Sequence, residues 1–427
     1  MKALMFGWEF PPHISGGLGT ASYGLTKGLA KSGVEILFVM PKASGDEDSS
    51  IGRIINASDI VSKMDVFSEN YWDKVNFMSV SSSLIPYLGF EDYEQLRADS
   101  LQKQSSVSYL GEKYTFSGKY GTNLMEEVAR YAMVAATIAR ENDFDIIHAH
   151  DWLTYLAGIV AKKISGKPLV IHVHATEFDR SGESVNQPVY DLEKLGMEEA
   201  DVIMAVSNLT RNIVITKYNI PESKIFTVHN AVDFSKEAAK RVTRTTDEKV
   251  VTFLGRITFQ KGPEYFIEAA NKVAKRLPNV RFVMAGSGDM MNRMVKRVAK
   301  LNLGSRFHFT GFLKGDDVDK MYSYSDVYVM PSVSEPFGIS PLEAIRSGVP
   351  VIISKQSGVS EVLKHAIKVN FWDVNALADA IYALLTYKGL NNMITRSGLE
   401  EVNSFSWDDT ARLVKKIYCN TLEQCNL

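Results

Sequence analysis

Short, continuously apolar runs alternate along the chain with longer segments whose apolar residues recur at helical spacing. In the first part, residues 2–6, 34–39 and 145–149 are apolar runs, and one-sided helical patterns fill 20–32 and 124–140. Continuous runs indicate strands buried on both faces, and their alternation with helices is typical of a doubly wound parallel sheet. The chain is therefore predicted to begin with an α/β domain.

The same alternation extends to about residue 228, apart from one long break. Residues 43–122 are polar and rich in Ser, Asp and Tyr, and we interpret them as a functional insertion. Ser207 is predicted to be the N-cap of a helix that runs to residue 217. The other elements predicted in this half are helices at 153–164 and 191–199 and strands at 169–173, 202–206 and 225–228.

A second domain of the same kind follows a charged segment. Residues 235–249 lack an apolar face and are predicted to be a linker. Two doubly wound, Rossmann-like domains in tandem are expected to face each other across a cleft, which is a preferred place for ligands. The elements predicted here are strands at 250–254, 280–284, 306–309, 327–329 and 351–353, and a closing amphipathic helix at 406–422.

Charge and cysteine content narrow the classes of protein. The 48 Lys and Arg residues nearly balance the 50 Asp and Glu residues, which argues against nucleic acid or an anionic membrane as a partner. Cys419 and Cys425 form no disulfide framework, which fits a reducing compartment. The first apolar run is too short for a signal peptide or a membrane span. We therefore expect a cytoplasmic protein.

Two loops are candidates for binding phosphate. Gly16 and Gly17 lie between the first strand and the first helix, where glycines let the backbone approach a ligand and a helix start favours an anion. Arg256 and Lys261 lie in the matching loop of the second domain, where Arg can form a fork with phosphate oxygens and Lys adds a point charge. The alternatives are an ordinary tight turn for the glycines and a solvated loop for the cations.

Two carboxylates follow the predicted strand at 327–329. Ser340, Pro341 and Glu343 fit a helix N-terminus with a capping box, so Glu343 is expected to cap the helix and also to accept hydrogen bonds from a ribose. Glu335 precedes Pro336, which predicts extended backbone and gives this acid no capping role. Ligands of open α/β sheets bind at this carboxyl edge.

A histidine cluster is predicted at the carboxyl edge of the first sheet. It consists of His148, His150, Asp151, His172 and His174, which follow or end two successive strands. Imidazoles and a carboxylate can ligate zinc or manganese, which would make the protein a metal-dependent hydrolase. The same groups can instead bind sugar hydroxyls and a leaving-group oxygen, and some of them can be purely structural.

Several of these motifs together resemble the nucleotide-sugar site of retaining glycosyltransferases with the GT-B fold. They are Gly255-Arg256 with Lys261-Gly262, Glu335-Pro336-Phe337-Gly338 with Glu343, His229-Asn230-Ala231-Val232-Asp233, and Thr310-Gly311-Phe312. Pro11-Pro12-His13 and His150-Asp151-Trp152 resemble the glycogen and starch synthase branch. Ile14 stands where bacterial glycogen synthases carry a lysine, and Glu343 is typical of broader relatives that include animal and archaeal synthases.

The resemblance implies a role for each matching residue. Arg256 and Lys261 would stabilise the departing nucleoside diphosphate, Glu335 would hold the transferred sugar, and His174 and Asp151 would line the sugar and acceptor side. The implied nucleotide-sugar-binding residues are Gly16, Gly17, Phe312, Gly338, Ile339, Ser340 and Glu343. Such enzymes retain the anomeric configuration, by front-face attack, and need no metal or other cofactor.

The sequence therefore predicts a retaining glucosyltransferase that extends an α-1,4-glucan from UDP- or ADP-glucose. The alternatives are a retaining glycosyltransferase that acts on a cell-envelope or lipid-linked glycan, the metal-dependent hydrolase, and a sugar-binding protein without turnover. The predicted organisation is an acceptor-side domain at 1–234 with the insertion 43–122, a linker at 235–249, a nucleotide-sugar domain at 250–405, and a closing helix at 406–427 that crosses back to the first domain.

Overall fold

The computed structural model describes residues 1–13, 16–61, 113–118, 123–232 and 247–425. The chain divides into two compact units. Unit 1 comprises Met1–Phe178, Gly182–Asn230 and Trp407–Leu427, and unit 2 comprises Asp179–Ser181 and Ala231–Ser406. Ile14, Asp233, most of the predicted linker, and residues 62–112 and 119–122 of the predicted insertion lie outside the described residues.

Each unit is built on one parallel sheet. Unit 1 has seven strands in the order β3-β2-β1-β4-β5-β6-β7, and unit 2 has six in the order β10-β9-β8-β11-β12-β13. The strands are β1 Lys2–Phe6, β2 Glu35–Met40, β3 Arg53–Asn56, β4 Ile146–His150, β5 Leu169–Val173, β6 Val202–Ala205, β7 Ile225–Thr227, β8 Lys249–Leu254, β9 Val280–Ala285, β10 Phe307–Gly311, β11 Val327–Met330, β12 Val351–Ser354 and β13 Ile367–Val369.

Helices connect the strands of both sheets. In chain order the α-helices among the described residues are α1 Gly17–Lys31, α2 Leu124–Glu141, α3 Trp152–Ser165, α4 Glu177–Ser181, α5 Gln187–Glu199, α6 Asn208–Tyr218, α7 Pro263–Arg276, α8 Met291–Lys300, α9 Asp316–Tyr324, α10 Ser340–Arg346, α11 Val359–Val362, α12 Val374–Thr386, α13 Lys388–Val402 and α14 Trp407–Cys425. The predicted fold class, two doubly wound parallel α/β domains, is confirmed.

The two faces of the central strands of unit 1 have different surroundings. Ile147 and Ala149 of β4 belong to the hydrophobic core that includes residues of α2 and α3. His148 and His150 alternate with them, and His150 pairs in register with His172 of β5. Because alternate residues of a strand point to opposite faces, the imidazoles share the face away from that core.

The closing helix α14 packs against α1 within unit 1. A Cβ atom added to Gly24 would lie 2.3 Å from the Trp407 ring, and one added to Gly28 would lie 2.6 Å from the Trp407 carbonyl oxygen. Only glycine allows this approach, since non-bonded carbon atoms pack at about 3.5–4.0 Å. Unit 1 therefore contains both the beginning and the end of the described chain.

Most predicted elements agree with the structure to within a few residues, and three differences matter. The segment 43–122, predicted as an insertion, contains Arg53–Asn56, which is an edge strand of the first sheet, and Tyr114 and Phe116 near its end are buried in the core. The short strand Ile367–Val369 was not predicted. Helix α1 begins at Gly17 rather than Thr20, so the glycines form its first turn. Ser207 caps α6 as predicted.

None of the helices in the described part of the chain combines the length and the apolar character that a membrane-spanning helix needs.

Candidate active site

Three successive loops of unit 2 are joined backbone to backbone at the carboxyl edge of the sheet. The Gly255 amide donates to the Ala285 carbonyl at 3.0 Å, the Ile257 amide to the Ser287 carbonyl at 2.8 Å, and the Gly286 amide to the Gly311 carbonyl at 2.8 Å. These bonds fix the loop after β8, which carries Arg256, against the loops after β9 and β10.

Glycine is required where these loops meet. A Cβ atom on Gly286 would lie 1.9 Å from the Gly255 carbonyl oxygen, and one on Gly288 would lie 2.4 Å from the Ile257 carbonyl oxygen. Gly286 also has a φ of +143°, which L side chains rarely adopt. The Gly-Ser-Gly turn at 286–288 therefore supports the Arg256 loop. We did not single it out from the sequence, although its position after a strand was a usable signal.

Arg256 and its neighbours form a small charged group. An Nη atom of Arg256 donates to Oε1 of Gln260 at 3.1 Å. Asp289 lies close enough for its charge to interact with Arg256, and burial raises the pKa of the Asp289 carboxyl while Arg256 opposes that rise. Gln260 and Asp289 were not predicted as site residues. They orient and balance the guanidinium at the edge of the sheet.

Lys261 and Glu335, both predicted as site residues, form a direct ion pair. Lys261 Nζ lies 2.5 Å from Glu335 Oε2, and the side chains are 21% and 8% exposed. The Ser332 hydroxyl donates to the same carboxylate oxygen at 3.2 Å. Lys261 ends the loop after β8 and Glu335 lies in the loop after β11, so the pair joins the two central loops of the edge.

The backbone around Glu335 is held from both sides. Its amide donates to the Gln356 carbonyl at 3.0 Å, and its carbonyl accepts from the Gly358 amide at 2.9 Å. The residue forms an isolated parallel bridge with Ser357, so its backbone is extended as the following proline predicted. The Val359 amide also donates to the Phe337 carbonyl at 2.7 Å. The loop is therefore a fixed platform rather than a free connection.

The predicted capping box at the start of α10 is wrong. The N-cap residue is Ile339 and makes no side-chain cap, while Ser340 is already the first helical residue. The Tyr328 hydroxyl lies 2.9 Å from the Ser340 hydroxyl, and the Tyr322 hydroxyl donates to the Ser340 carbonyl at 3.1 Å. Two buried tyrosines thus hold the serine in place of a capping contact to Glu343.

Glu343 is left without a hydrogen-bond partner for its carboxylate among the described residues. Its own amide donates to the Ile339 carbonyl at 3.2 Å as part of the helix. Burial raises the pKa of the Glu343 carboxyl, and the nearby charge of Arg346 opposes that rise while Asp319 adds to it. A half-buried acceptor with no partner at a ligand-binding edge is suited to bind donor hydroxyls.

The other predicted residues of unit 2 lie in the same loops. Phe312 follows β10 and is 48% exposed, with Lys314 Nζ 5.6 Å from the centre of its ring. Gly338 has a φ of +99°, and a Cβ atom there would lie 3.1–3.2 Å from Met330 and Glu335. The backbone of Gly338 and Ile339 therefore turns tightly between the Glu335 platform and α10.

In unit 1, Gly16 and Gly17 are at the N-terminus of α1. Gly16 is the N-cap with extended backbone and no side-chain cap, and the first turn carries no acidic residue. Apart from the adjacent residues of the chain, no atom of the described residues would lie within 4 Å of a Cβ atom added at either position. The open helix end presents amide groups and the positive end of the helix dipole. This is the arrangement that the anion-binding prediction requires.

Asp151 has a strained backbone. It follows β4 directly with φ 64° and ψ 167°, a region that is nearly exclusive to glycine and costs about 1–3 kcal/mol. Its amide donates to the His172 carbonyl at 2.9 Å, and its carboxylate accepts from the Ala175 amide at 3.4 Å. The strain directs a buried carboxylate toward the turn after β5, where His174 also lies.

The four histidines are close together, as predicted. His148 and His150 stack with ring centres 4.2 Å apart, and His172 and His174 stack at 4.4 Å. His150 Nδ1 lies 3.1 Å from His174 Nε2. Burial lowers the pKa of all four imidazoles, and that of His172 falls to about 3, so they are neutral at neutral pH. His174 is the half-buried member.

A parallel α/β unit with two cations, two carboxylates and glycine-lined loops at its ligand-binding edge belongs to the class of nucleotide-binding enzymes. A family model described as starch synthase catalytic domain matches residues 2–224, and one described as glycosyl transferases group 1 matches 235–400. The chain therefore belongs to the GT-B glycosyltransferases with a starch synthase catalytic domain, and it is a retaining glycosyltransferase.

Individual relatives extend over the whole chain. An uncharacterised glycosyltransferase of Methanocaldococcus jannaschii is 28% identical over 99% of both chains. The glycogen synthase of Mycobacterium tuberculosis is 24% identical over 98% of this chain and 94% of its own. The solved sucrose-phosphate synthase of Thermosynechococcus elongatus has a TM-score of 0.73 and 18% identity over 99% of both chains, a likeness of fold. Because the family models show a glycosyltransferase, the alternative of a metal-dependent hydrolase is wrong.

Proposed function

We propose that the protein transfers glucose from UDP- or ADP-glucose to the non-reducing end of an α-1,4-glucan, with retention of the α configuration. The observation that carries the proposal is the ion pair between Lys261 and Glu335. Lys261 lies in the same loop as Arg256, whose guanidinium is held by Gln260. In the ion pair a cation, which we assign to a phosphate, directly contacts a carboxylate, which we assign to a sugar hydroxyl. Cleavage of a glycosyl phosphate needs both functions at adjacent points.

The leaving group is the nucleoside diphosphate. Arg256 and Lys261 supply two positive charges on one short loop, and the Gly-Ser-Gly turn and Gln260 hold that loop in place. Preorganised charges of this kind stabilise the negative charge that develops as the bond to the sugar breaks. Removing one such donor in an enzyme typically costs about 10²–10³ in turnover. The same two residues are therefore proposed to be catalytic.

The donor's sugars need acceptors for their hydroxyl groups. Glu335 is held rigidly by three backbone or side-chain bonds and is proposed to bind the transferred glucose, together with the backbone from Gly338 to Ser340. The carboxylate of Glu343, which has no hydrogen-bond partner in the described part of the chain, is proposed to bind the ribose hydroxyls, and Phe312 is proposed to lie against the nucleotide. Charge-assisted hydrogen bonds are the strong ones in such sites.

Unit 1 contributes an open helix N-terminus and two polar residues after β4 and β5. The amides at Gly16 and Gly17 are proposed to bind the diphosphate. His174 and Asp151 are proposed to line the sugar and the acceptor hydroxyl. No protein nucleophile is invoked: the acceptor attacks from the face that the leaving phosphate vacates, and the phosphate takes the acceptor's proton. This accounts for retention without a covalent intermediate.

The glucan acceptor is supported by the starch synthase family model and by similarity to a glycogen synthase. At 24% identity that similarity leaves other glycans open, including lipid-linked and cell-envelope acceptors. The decisive experiment measures release of UDP, ADP and GDP from a panel of sugar donors, with glycogen, maltooligosaccharides or lipid-linked glycans as acceptors. We expect release from a glucosyl donor that glycogen accelerates at least tenfold.

Two outcomes would contradict the proposal. Release that depends only on a lipid-linked or envelope glycan would replace the glucan as acceptor. An inverted anomer in the product, read by NMR from the coupling of the anomeric proton, would contradict retention itself.

A further inference from the structure

The histidine cluster contains buried nitrogen atoms that glycosyl transfer leaves unexplained. Nε2 of His148, Nε2 of His150 and both nitrogens of His172 have no hydrogen-bond partner among the described residues. The three residues are 0%, 0% and 1% exposed. An unsatisfied buried polar group is costly, and native proteins rarely leave several together. A single ion binds one nitrogen of each ring, so three of these four atoms, one on each of three neighbouring rings, can share one missing partner.

Their geometry suits one ion better than separate partners. One nitrogen from each of His148, His150 and His172 lies within 4.8 Å of the other two. Zinc binds imidazole nitrogen at about 2.0–2.1 Å, so tetrahedral ligands stand about 3.4 Å apart. Ring rotations that move each nitrogen by about 1 Å would close the group around an ion. The strands supply the rigid frame for this closure, because His150 and His172 are in register.

Nδ1 of His148 and Nδ1 of His150 each have a hydrogen-bond partner, which leaves the Nε2 atom of each ring available to an ion. His148 Nδ1 lies 2.5 Å from the Tyr418 hydroxyl of α14. His150 Nδ1 lies 3.1 Å from His174 Nε2. Metal-binding histidines characteristically donate the N–H of their second ring nitrogen to a hydrogen-bond acceptor, which fixes the ring and its tautomer; here the Tyr418 hydroxyl and His174 Nε2 are in position to accept. With a proton on each Nδ1, both Nε2 atoms present lone pairs.

The donor set also selects the kind of ion. Three nitrogen donors without carboxylate oxygens suit zinc, cobalt, nickel or copper and disfavour magnesium and calcium. We propose that His148, His150 and His172 form a buried trihistidine site for a divalent zinc-class ion that joins β4, β5 and, through Tyr418, α14.

The ion is structural and takes no part in glycosyl transfer, since its ligands are fully buried. The proposal is therefore independent of the proposed function, and its test uses no turnover measurement. Full-length protein without a histidine tag is expressed in zinc-supplemented medium and purified without chelator. A second sample is unfolded in urea with EDTA and refolded with or without zinc, which avoids slow exchange at a closed site.

We expect about one zinc per chain by mass spectrometry in both zinc-exposed samples. Refolding with cobalt should give the visible absorption bands of a tetrahedral cobalt–imidazole complex. The zinc-refolded protein should melt at least about 5 °C above the zinc-free protein, as for a ligand that binds only the folded state. Magnesium should give neither effect.

Variants assign the ion to the cluster. His172→Gln and His148→Gln should each reduce the zinc content below about 0.2 per chain, while His308→Gln, at an exposed histidine of unit 2, should leave it unchanged. If the cluster variants fail to fold, the cobalt spectrum and the zinc stoichiometry of the wild-type protein still test whether histidines bind an ion. Less than about 0.1 zinc per chain in both wild-type samples would overturn the proposal in favour of buried water, and full zinc retention by folded cluster variants would place the ion elsewhere.

Discussion

Lys261 and Glu335 neutralise each other across the two central loops of unit 2, with 2.5 Å between Nζ and Oε2. Both are proposed to bind the donor, one through a phosphate and the other through a sugar hydroxyl. In the protein without donor, each charged group is therefore already paired with the other. When the donor binds, Lys261 and Glu335 must either contact it in addition to each other or break their ion pair. The pair therefore affects both the stability of the loops and donor binding.

Lys261→Ala should reduce both turnover and stability. Turnover should fall by about 10²–10³ because a charge on the leaving group is lost. The free energy of unfolding should fall by about 1–3 kcal/mol, because among the described residues the buried Glu335 carboxylate keeps only the Ser332 hydroxyl as a hydrogen-bond partner. Steady-state kinetics and urea denaturation measure the two effects. Lys320→Ala is the control, because its pair with Asp317 is exposed and contributes at most about 1 kcal/mol.

Arg256→Lys tests whether the fork of the guanidinium matters beyond its charge. Lysine keeps the positive charge but cannot donate two parallel bonds to a phosphate or reach Gln260 in the same way. We expect turnover to fall at least tenfold with little change in the melting temperature. Arg276→Lys, at an exposed pair with Asp379, is the matched control. Wild-type turnover in Arg256→Lys would show that Arg256 acts as a point charge only.

Glu343→Gln should give a pH-dependent loss of donor affinity. Burial raises the pKa of Glu343, so the wild-type carboxylate becomes protonated and loses acceptor capacity as the pH falls from 8 toward its ordinary value of 4.5. The affinity of the wild type for intact nucleotide-sugar should therefore decrease as the pH is lowered. The affinity of the variant should change less over the same pH range. At pH 8 the variant should bind about ten- to a hundredfold more weakly, by calorimetry.

The same shift fixes the sign of the stability change. A carboxyl whose folded-state pKa is raised releases its proton first in the unfolded chain, so it destabilises the fold as the pH rises above its ordinary value. Glu343→Gln should therefore unfold at a higher temperature than wild type at pH 8. A lower melting temperature of the variant at that pH would show that Glu343 stabilises the start of α10, as the predicted capping box required. Glu400→Gln, at an exposed helical pair, should change neither property.

The sequence was enough to predict where several loops of the candidate site lie. The features that it did not predict were missed for physical reasons. Long apolar runs identify buried strands, so the loops that carry Arg256, Lys261 and Glu335 could be placed at one sheet edge. The strands Arg53–Asn56 and Ile367–Val369 are only four and three residues long and lack that signal. The capping box failed because Tyr328, distant from the helix start in sequence, takes the Ser340 hydroxyl.

The supporting groups were the least predictable part. Gln260 and Asp289 have ordinary loop sequences, and only the folded loops bring them to Arg256. The histidines were expected to cluster because successive parallel strands end at one edge. The complete burial of His148, His150 and His172 was not expected, since it depends on which helix covers that face of the sheet. Tertiary packing decides such features, and local patterns carry little information about it.

Gly17→Ala separates ligand binding from folding at the start of α1. A methyl group there meets no atom within 4 Å, so the fold should be unchanged or slightly stabilised. Turnover should fall at least tenfold if the backbone must approach a diphosphate. Gly24→Ala adds the same group to the same helix against Trp407, and it should instead lower the free energy of unfolding by about 1–3 kcal/mol. Unchanged turnover in Gly17→Ala would mean that the glycines serve only to form a tight turn and do not bind the diphosphate.

Asp151 combines a strained backbone with a proposed catalytic carboxylate, and two substitutions separate these properties. Asp151→Gly and Asp151→Ala both remove the carboxylate, so both should reduce turnover at least a hundredfold. Only glycine adopts φ 64° and ψ 167° without strain, so the glycine variant should be more stable than the alanine variant by about 1–3 kcal/mol in urea denaturation. Equal stabilities would mean that the turn relaxes when the carboxylate is removed. In that case the bond from the Ala175 amide, rather than the sheet edge, maintains the unusual backbone.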